Sequence, residues 1–282
     1  MSASASIVQV MESSPSLPLG LPEVGRTLLR SAPVEAVVAE VRFVSSTDEL
    51  SVETAEAVRD AVQPWLLEPL TSIVPASQQS VEFSVGTEQS PRLQILGRGF
   101  GIGSADGSVQ ITLLPGVAIL QLTRYERWSL SLKPPLEALA RAVEGLLRPM
   151  LVQRIGLRYI DRFQELDCTS PAGWRGRIAS SLLGPLDNEV FGRLIVGAQQ
   201  VIELASEPGH GALIRHGPSI PPNSDLVDYL LDIDVFDQVA GAYDASSITE
   251  RAELLNRSMM SLFRACVTEQ YFKSLEGVRD GD

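Results

Sequence analysis

The chain has 282 residues and a formal net charge of -12, with 44% hydrophobic and 21% charged residues. This length and balance predict a globular protein whose core offsets chain entropy, and they exclude a filament or a wholly disordered chain. The acidic charge opposes nucleic-acid binding, because nucleic-acid binders use clustered Lys and Arg to release counterions from phosphates.

The cysteine pattern favours a reducing compartment, and the hydropathy pattern predicts no membrane span. Cys168 and Cys266 lie far apart and form no C-x-x-C pair, so neither a disulfide framework nor a zinc site is predicted. The first ten residues contain no basic segment, and no stretch of the sequence approaches the roughly 18 uninterrupted apolar residues of a membrane span. We therefore expect a cytoplasmic protein that does not associate with membranes.

The N-terminal segment differs in composition from the rest of the chain. Residues 1–32 are rich in Ser, Pro and Gly, which predicts a flexible arm that adds nothing to the core. A first unit, residues 33–151, follows. Its predicted elements are a strand at 37–43, a helix at 55–66, strands at 81–85, 92–102 and 109–125, and a helix at 134–150. The strand at 109–125 is either one long strand or a hairpin folded at Pro115-Gly116.

A second unit, residues 152–282, repeats this pattern without repeating the sequence. Its predicted elements are a strand at 152–163, a helix at 174–183, strands at 190–205, 211–216 and 228–236, and a final helix at 247–272. Ser247 and Glu250 form a capping box at the start of that helix. Its apolar seam either packs onto its own sheet or forms a dimer contact, so a homo-oligomer is compatible with the sequence.

Short links between neighbouring strands, with helices before and after them, define the expected fold. We predict an α+β protein made of two tandem β-α-β-β-β-α units, with mainly antiparallel sheet and helices packed on one face. This arrangement allows the two sheets to join into one.

A row of alternating glycines is the most unusual local sequence. It consists of Gly97, Gly99, Gly101 and Gly103, with Arg98, Phe100 and Ile102 on the other face of the predicted strand. The spacing matches neither the dinucleotide fingerprint nor the nucleotide triphosphate loop. Close approach of another backbone is favoured over a ligand or peptide site, because strand glycines usually mark such an approach.

The strand at 152–163 carries an arginine column, Arg154, Arg158 and Arg162, opposite a row of apolar residues. Like charges in one column repel, so pairing with carboxylates such as Glu40 or with the acidic run at 225–237 is favoured over a free recognition stripe for an anion. The D-x-D of that run, Asp232 and Asp234, is interpreted as a solvated strand face rather than as a metal site.

Catalytic signatures are missing from the sequence. The two histidines, His210 and His216, would lie about 20 Å apart on an extended strand, too far to share a metal, and they are interpreted as exposed turn residues. No hydrolase, zinc-protease or kinase motif occurs. We therefore predict no catalytic residue, no metal site and no cofactor.

Several stretches resemble a sporadically distributed family of uncharacterised bacterial proteins. They are Pro33-Val34, residues 40–43, Gly97-x-x-Phe100 with residues 104–107, Tyr125-x-x-Trp128, and the motif R-x-G-L-R-Y-x-[ND] at residues 154–161. The family usually carries Asn where this chain has Asp161. The resemblance covers mainly residues 33–163 and implies no known activity, and the patchy distribution of the family is compatible with toxin–antitoxin or phage-defence systems.

The sequence thus favours a non-catalytic component that binds a protein partner, for example an antitoxin-like, chaperone-like or phage-defence accessory protein. The alternative is a small-ligand binder or an enzyme with a pocket between the two halves. Neither hypothesis involves nucleic acid or a membrane. The candidate contact residues are Arg98, Phe100, Tyr125, Trp128, Arg154, Arg158, Tyr159, Asp161 and Arg162.

Overall fold

The computed structural model describes residues 17–25, 29–82, 92–206, 208–222 and 224–276. The strands in these residues are β1 (Val34–Phe43), β2 (Leu70–Glu82), β3 (Arg92–Ser104), β4 (Val109–Leu114), β5 (Val117–Leu122), β6 (Leu151–Phe163), β7 (Gln200–Ser206), β8 (His210–Ser219), β9 (Asp228–Asp237) and β10 (Gly241–Ala242). They form one antiparallel sheet in the order β2-β3-β4-β5-β1-β6-β9-β8-β7, and β10 pairs with β6.

Helices cover one face of this sheet. They are α1 (Val52–Val62), α2 (Lys133–Leu147), α3 (Ser180–Leu183), α4 (Ala245–Cys266) and α5 (Glu269–Glu276). The alternation of β1 shows which face is covered, since Val37, Ala39 and Val41 are at most 2% exposed while Glu40 and Arg42 reach solvent. The hydrophobic core lies between this face and the helices. The α+β class and the antiparallel sheet predicted from the sequence are confirmed.

The two central strands are β1 and β6, which pair antiparallel from Val34↔Asp161 to Phe43↔Val152. Because this pair lies mid-sheet, the strands predicted for the two halves belong to one continuous sheet. The strand predicted at 152–163 and the helix predicted at 134–150 agree closely with β6 and α2.

Other elements of the first half were predicted less accurately. The segment 109–122 is a hairpin, as one alternative held, and Gly116 in its turn has a φ of 78°, which favours glycine. The strand predicted at 81–85 overlaps the end of β2, which begins earlier, at Leu70, and residues 83–85 lie outside the described residues. The Ser, Gln and Pro residues of β2 are weak strand formers, and pairing with β3 overrides that preference.

The region between β6 and β8 departs most from the prediction. The helix expected at 174–183 is wrong, because that region contains a 3-10 helix at Pro171–Trp174 and only a four-residue α3. The strand expected at 190–205 is reduced to β7, and a 3-10 helix at Gly192–Leu194 precedes it. Short apolar runs do not distinguish a strand from an irregular segment without their tertiary contacts.

The final helix is divided into α4 and α5. Asp244 is the N-cap of α4, its carboxylate accepting a hydrogen bond from the Ser247 amide at 2.6 Å, so the capping box predicted for Ser247 and Glu250 is wrong by three residues. The apolar seam of α4 packs onto its own sheet and onto α2, as one of the two alternatives held.

The described part of the N-terminal segment packs against the protein. A 3-10 helix at Pro18–Gly20 lies near β7, β8 and α4, and Leu17 is only 3% exposed. The Ser258 hydroxyl donates to the Pro18 carbonyl at 3.4 Å, and Arg257 pairs with Glu23 at 2.5 Å. The expectation that this arm adds nothing to the core is therefore wrong at Leu17, while residues 1–16 and 26–28 lie outside the description.

Candidate interaction surface

The strand β6 places the predicted site residues on its two faces. Successive side chains of a strand point to opposite sides, so Arg154, Arg158 and Arg162 lie on the helix-free face. Tyr159 and Asp161 lie on the face that the helices cover, where they are 5% and 2% exposed. The sequence periodicity therefore separates a charged surface from a buried polar cluster.

Arg154 lies at the centre of the charged surface. It donates to Glu40 on β1 and to Asp234 Oδ2 on β9 at 3.0 Å, and its guanidinium lies 5.0 Å from the centre of the Phe236 ring. Burial raises the pKa of Asp234, while the charge and hydrogen bond of Arg154 act in the opposite direction. Arg154 thus compensates two partly buried carboxylates on the strands beside β6.

The other arginines of the column are paired as well. Arg158 binds Asp232 through two bonds of 2.7 Å, from Nε and Nη2 to the two carboxylate oxygens. Arg162 contacts Glu35 and Asp228, each at 3.2 Å. The predicted pairing of the column with Glu40 and the aspartate run is confirmed, which leaves no free arginine stripe here for an anion.

This pairing extends into a network across four strands. Arg42 also contacts Glu40 at 2.9 Å, and Arg215 on β8 contacts Asp232 at 3.3 Å. The network consists of three neighbouring groups of ion pairs, which together contain five arginines and five carboxylates. They are Arg42, Arg154, Arg158, Arg162 and Arg215 with Glu35, Glu40, Asp228, Asp232 and Asp234.

A buried chain of hydroxyl groups lies on the other face of β6. The hydroxyls of Tyr125 and Tyr159 are 2.9 Å apart, and Tyr159 donates to Asn256 Oδ1 on α4 at 2.9 Å. The two rings meet edge to face, with their centres 5.4 Å apart. Burial raises the pKa of Tyr125 to about 12, although its hydrogen bond to Tyr159 acts in the opposite direction. These hydroxyls therefore remain protonated and join β6 to α4.

Asp161 is the buried carboxyl group at the end of the R-x-G-L-R-Y-x-[ND] motif. Burial, and to a smaller extent the charge of Asp232, raises its pKa to about 8, and no hydrogen bond from the described residues offsets that shift. The group is therefore mainly protonated at neutral pH. A neutral carboxyl group has nearly the shape of an Asn side chain.

The remaining predicted residues lie apart from β6. Arg98 is exposed, and its backbone pairs with Asp48 and Leu50. Phe100 packs against the core, and Trp128 is a buried member of it. The structure thus brings Tyr125, Tyr159 and Asp161 together, joins the three arginines through carboxylates, and leaves these other residues outside both groups.

The glycine row permits close packing, as the sequence predicted. A Cβ atom on Gly99 would lie 2.0 Å from the Leu113 carbonyl oxygen, a distance that no side chain tolerates. At Gly101 the nearest atom would be Val74 Cγ2 at 3.5 Å, an ordinary contact. Backbone approach at Gly99 therefore accounts for one glycine of the row without a ligand.

The histidines do not occupy exposed turns, which corrects that interpretation. Both lie on β8, and His216 is only 1% exposed, with Nδ1 2.8 Å from the Tyr229 hydroxyl. Burial lowers the pKa of His216. His210 Nε2 lies 3.7 Å from Asp237. Among the described residues, no group of three or more His, Cys, Asp or Glu could hold a metal ion.

A polar cleft of about 460 Å³ was missed by the sequence reasoning. Its lining residues are Glu165, Arg175, Gly176, Arg177, Gln270, Tyr271 and Ser274. The Tyr271 hydroxyl donates to Glu165 at 2.8 Å, and Arg177 pairs with Asp167 at 2.8 Å. In the sequence, only the tripeptide Arg175-Gly176-Arg177 could have indicated this cleft. The cleft lies within the second half, whereas the alternative hypothesis placed a pocket between the halves.

Comparison with known proteins adds no assignment to this geometry. In the described part of the chain, no helix is both long and apolar enough to cross a membrane. No family model matches the sequence, and no curated protein matches it.

Proposed function

We propose that this protein is a non-catalytic binding component that holds a protein partner on the helix-free face of its sheet. The observation that carries this proposal is the network of five arginines and five carboxylates on the central strands. Because each guanidinium already has a carboxylate, the surface suits a broad protein contact better than capture of a small anion.

Charge supports a protein partner on this face. The chain carries a net charge of -12, while the network has equal numbers of positive and negative groups. The neutral network repels an acidic partner less strongly than the acidic surfaces of the chain do. Its mixed pattern of fixed charges also favours a partner whose charges have the complementary pattern. The network therefore supplies specificity rather than a large part of the affinity.

Apolar side chains beside the network supply area for the contact. Ile119, Leu213 and Leu230 lie directly opposite Glu40, Asp234 and Arg162 in the strand register, so they share the helix-free face. Each is half-buried in this chain. Covering them would remove further apolar surface from water, which is the main favourable contribution to protein association.

The proposal includes an origin by internal duplication. Strands β1 and β6 open the two halves and pair at the centre, and each is flanked on its outer side by the last long strand of its own half, β5 or β9. A helix follows each of these last strands in the chain. This arrangement supports two tandem units, and the resemblance stated above supports an accessory role in an antitoxin or phage-defence system.

Site-specific photo-cross-linking in native cells tests the binding surface. Benzoylphenylalanine placed at Ile119 should cross-link one stoichiometric partner, while the same group at Leu146 on α2, which is 46% exposed, should not. Cross-linking from Leu146 but not from Ile119 would place the contact on the helices. No cross-link from either position would remove the support for a protein partner.

A charge insertion provides a second test of the same face. Leu213→Arg adds a cation beside the paired network and should weaken partner binding at least tenfold, whereas Leu146→Arg should leave the affinity unchanged. Equal affinities of the two variants for the cross-linked partner would argue against the helix-free face.

A further inference from the structure

The two edges of the sheet differ in how well they resist pairing with another strand. The edge strand β2 contains Pro75, which lacks an N–H group, and its register with β3 shifts at Leu70/Ser72 and at Gln78/Gln79. Proline and bulges are devices that block addition of a further strand. The edge at β2 is therefore protected.

The edge strand β7 has none of these devices. It pairs with β8 without a register shift, from Gln200↔His216 to Ser206↔His210, and it contains neither Pro nor Lys. Among the described residues β8 is its sole strand partner. Its outer edge therefore presents a regular row of backbone N–H and C=O groups.

The two faces of β7 differ in exposure. The 3-10 helix at Pro18–Gly20 and α4 lie on the covered side of the sheet, where Ile202 and Leu204 are partly buried. On the opposite face Val201, Glu203 and Ala205 are exposed. A strand added beside β7 would extend the helix-free face.

An exposed apolar segment leads directly into β7. Its members are Val190, Phe191, Leu194 and Val196, and the least exposed of them, Phe191, is still 46% exposed. Large apolar side chains clustered on a surface mark sites of interaction. The segment adds exposed apolar area immediately before β7 in the chain.

The charge of Glu203 indicates which kind of strand would pair favourably with this edge. Glu203 lies in the middle of β7 and is exposed, and the ion pairs of the described residues do not include it. Two copies of β7 aligned about this residue would place two carboxylates opposite each other, which is unfavourable. A strand with a basic residue at that position would instead form a favourable cross-strand pair.

We propose that the outer edge of β7 binds an extended segment of a protein partner by strand addition, with a basic residue opposite Glu203 and apolar residues against the segment 190–196. Main-chain hydrogen bonds supply affinity in this mode, and alternate side chains supply specificity. The inference rests on the proposed function for the existence of a protein partner, but it concerns a separate surface at the end of the sheet.

A peptide titration followed by amide NMR spectra of the full isotopically labelled chain tests this inference. The probe is the capped peptide Thr-Val-Thr-Lys-Thr-Val-Thr, and two control peptides carry Glu in place of Lys or N-methyl groups along the backbone. The Lys peptide should shift the amide resonances of residues 200–206, and the N-methylated peptide should not. The Lys peptide should bind about two- to fivefold more tightly than the Glu peptide.

Charge substitutions on the protein make this test specific. Glu203→Lys should reverse the preference between the Lys and Glu peptides, and Glu203→Gln should abolish it. Both variants change an exposed side chain, and unchanged resonances outside β7 serve as the control for folding. The same preference in wild type and Glu203→Lys, or equal binding of the N-methylated peptide, would overturn the proposal.

Other occupants of the edge give distinct results. Without peptide, the amides of β7 that donate no hydrogen bond to β8 should exchange quickly. Protection of these amides that grows with protein concentration would indicate a second copy of this chain, and protection that is independent of concentration would indicate cover by the chain itself. Either result overturns the proposal. If no peptide binds β7 while Ile119 still cross-links a partner, the edge inference fails and the proposed function stands.

Discussion

On the helix-free face of β6, Arg154 reaches carboxylates on both neighbouring strands, whereas Asp161 on the helix-covered face has no cationic partner among the described residues. On the helix-free face the charged side chains form ion pairs, whereas on the helix-covered face Asp161 keeps its proton and is mainly neutral. Water explains the difference, because a partly solvated ion pair remains tolerable while an isolated buried carboxylate does not.

Removing the arginine at the centre of the network should have the largest effect. Arg154→Ala leaves Glu40 and Asp234 partly buried without their common counter-ion, so the free energy of unfolding should fall by about 3–5 kcal/mol. Arg42→Ala is the matched control, because the Arg42 side chain is 51% exposed, and it should cost only about 0–1 kcal/mol. Urea unfolding at pH 7 measures both variants, and a loss of about 1 kcal/mol or less for Arg154→Ala would show that the network does not stabilise the fold.

Neutralising Asp161 should stabilise the protein, whereas removing Arg154 should destabilise it. Its pKa of about 8 in the folded protein exceeds the ordinary value of 3.8, so the folded state binds the proton more tightly and stability is lost as the pH rises from about 4 to about 8. Asp161→Asn should remove that loss and raise the free energy of unfolding at pH 7.5 by roughly 3–5 kcal/mol.

Asp232→Asn is the matched substitution on the other face. It removes an acceptor of Arg158 and Arg215, so it should destabilise the protein by about 1–3 kcal/mol. Urea unfolding between pH 4 and pH 9 measures both variants. The same sign for the two substitutions would contradict the contrast between the faces.

His216 extends the comparison to a buried base. Its pKa in the folded protein lies below the ordinary 6.5, so the unfolded state takes up protons first and stability is lost as the pH falls below about 6.5. His216→Phe should remove on the order of 1 kcal/mol of this acid sensitivity between pH 6.5 and 5. Thermal unfolding across this range measures the slope for wild type and variant, and an unchanged slope in His216→Phe would contradict this expectation.

The tyrosine chain joins the helix-covered face of β6 to α4. Tyr159→Phe removes the donor to Asn256 and the partner of Tyr125, and it should cost about 1–2 kcal/mol. Tyr125→Phe removes only the contact to Tyr159 and should cost about 0.5–1 kcal/mol. Urea unfolding of the two single variants and the double variant measures the coupling, and additive losses would indicate independent hydroxyls.

The regular alternation of arginines and apolar residues made two features predictable: the strand β6 itself, and the separation of its arginines from its apolar residues onto opposite faces. The same reasoning failed for residues 174–199, where apolar residues follow no sustained period and a few short 3-10 helices stand in place of a helix and a strand. It also misplaced His216, because exposure depends on the elements that cover β8 rather than on neighbours in the chain.

The sequence by itself determined the α+β class, the two faces of β6 and the need of its arginines for carboxylates, because these follow from local periodicity and from charges of known sign. The tertiary structure decided which carboxylates pair with which arginines, that Asp161 is buried with no cationic partner among the described residues, and that β7 is an edge strand of the described sheet. Strand order and burial arise from contacts between residues far apart in the chain, and local patterns do not encode them.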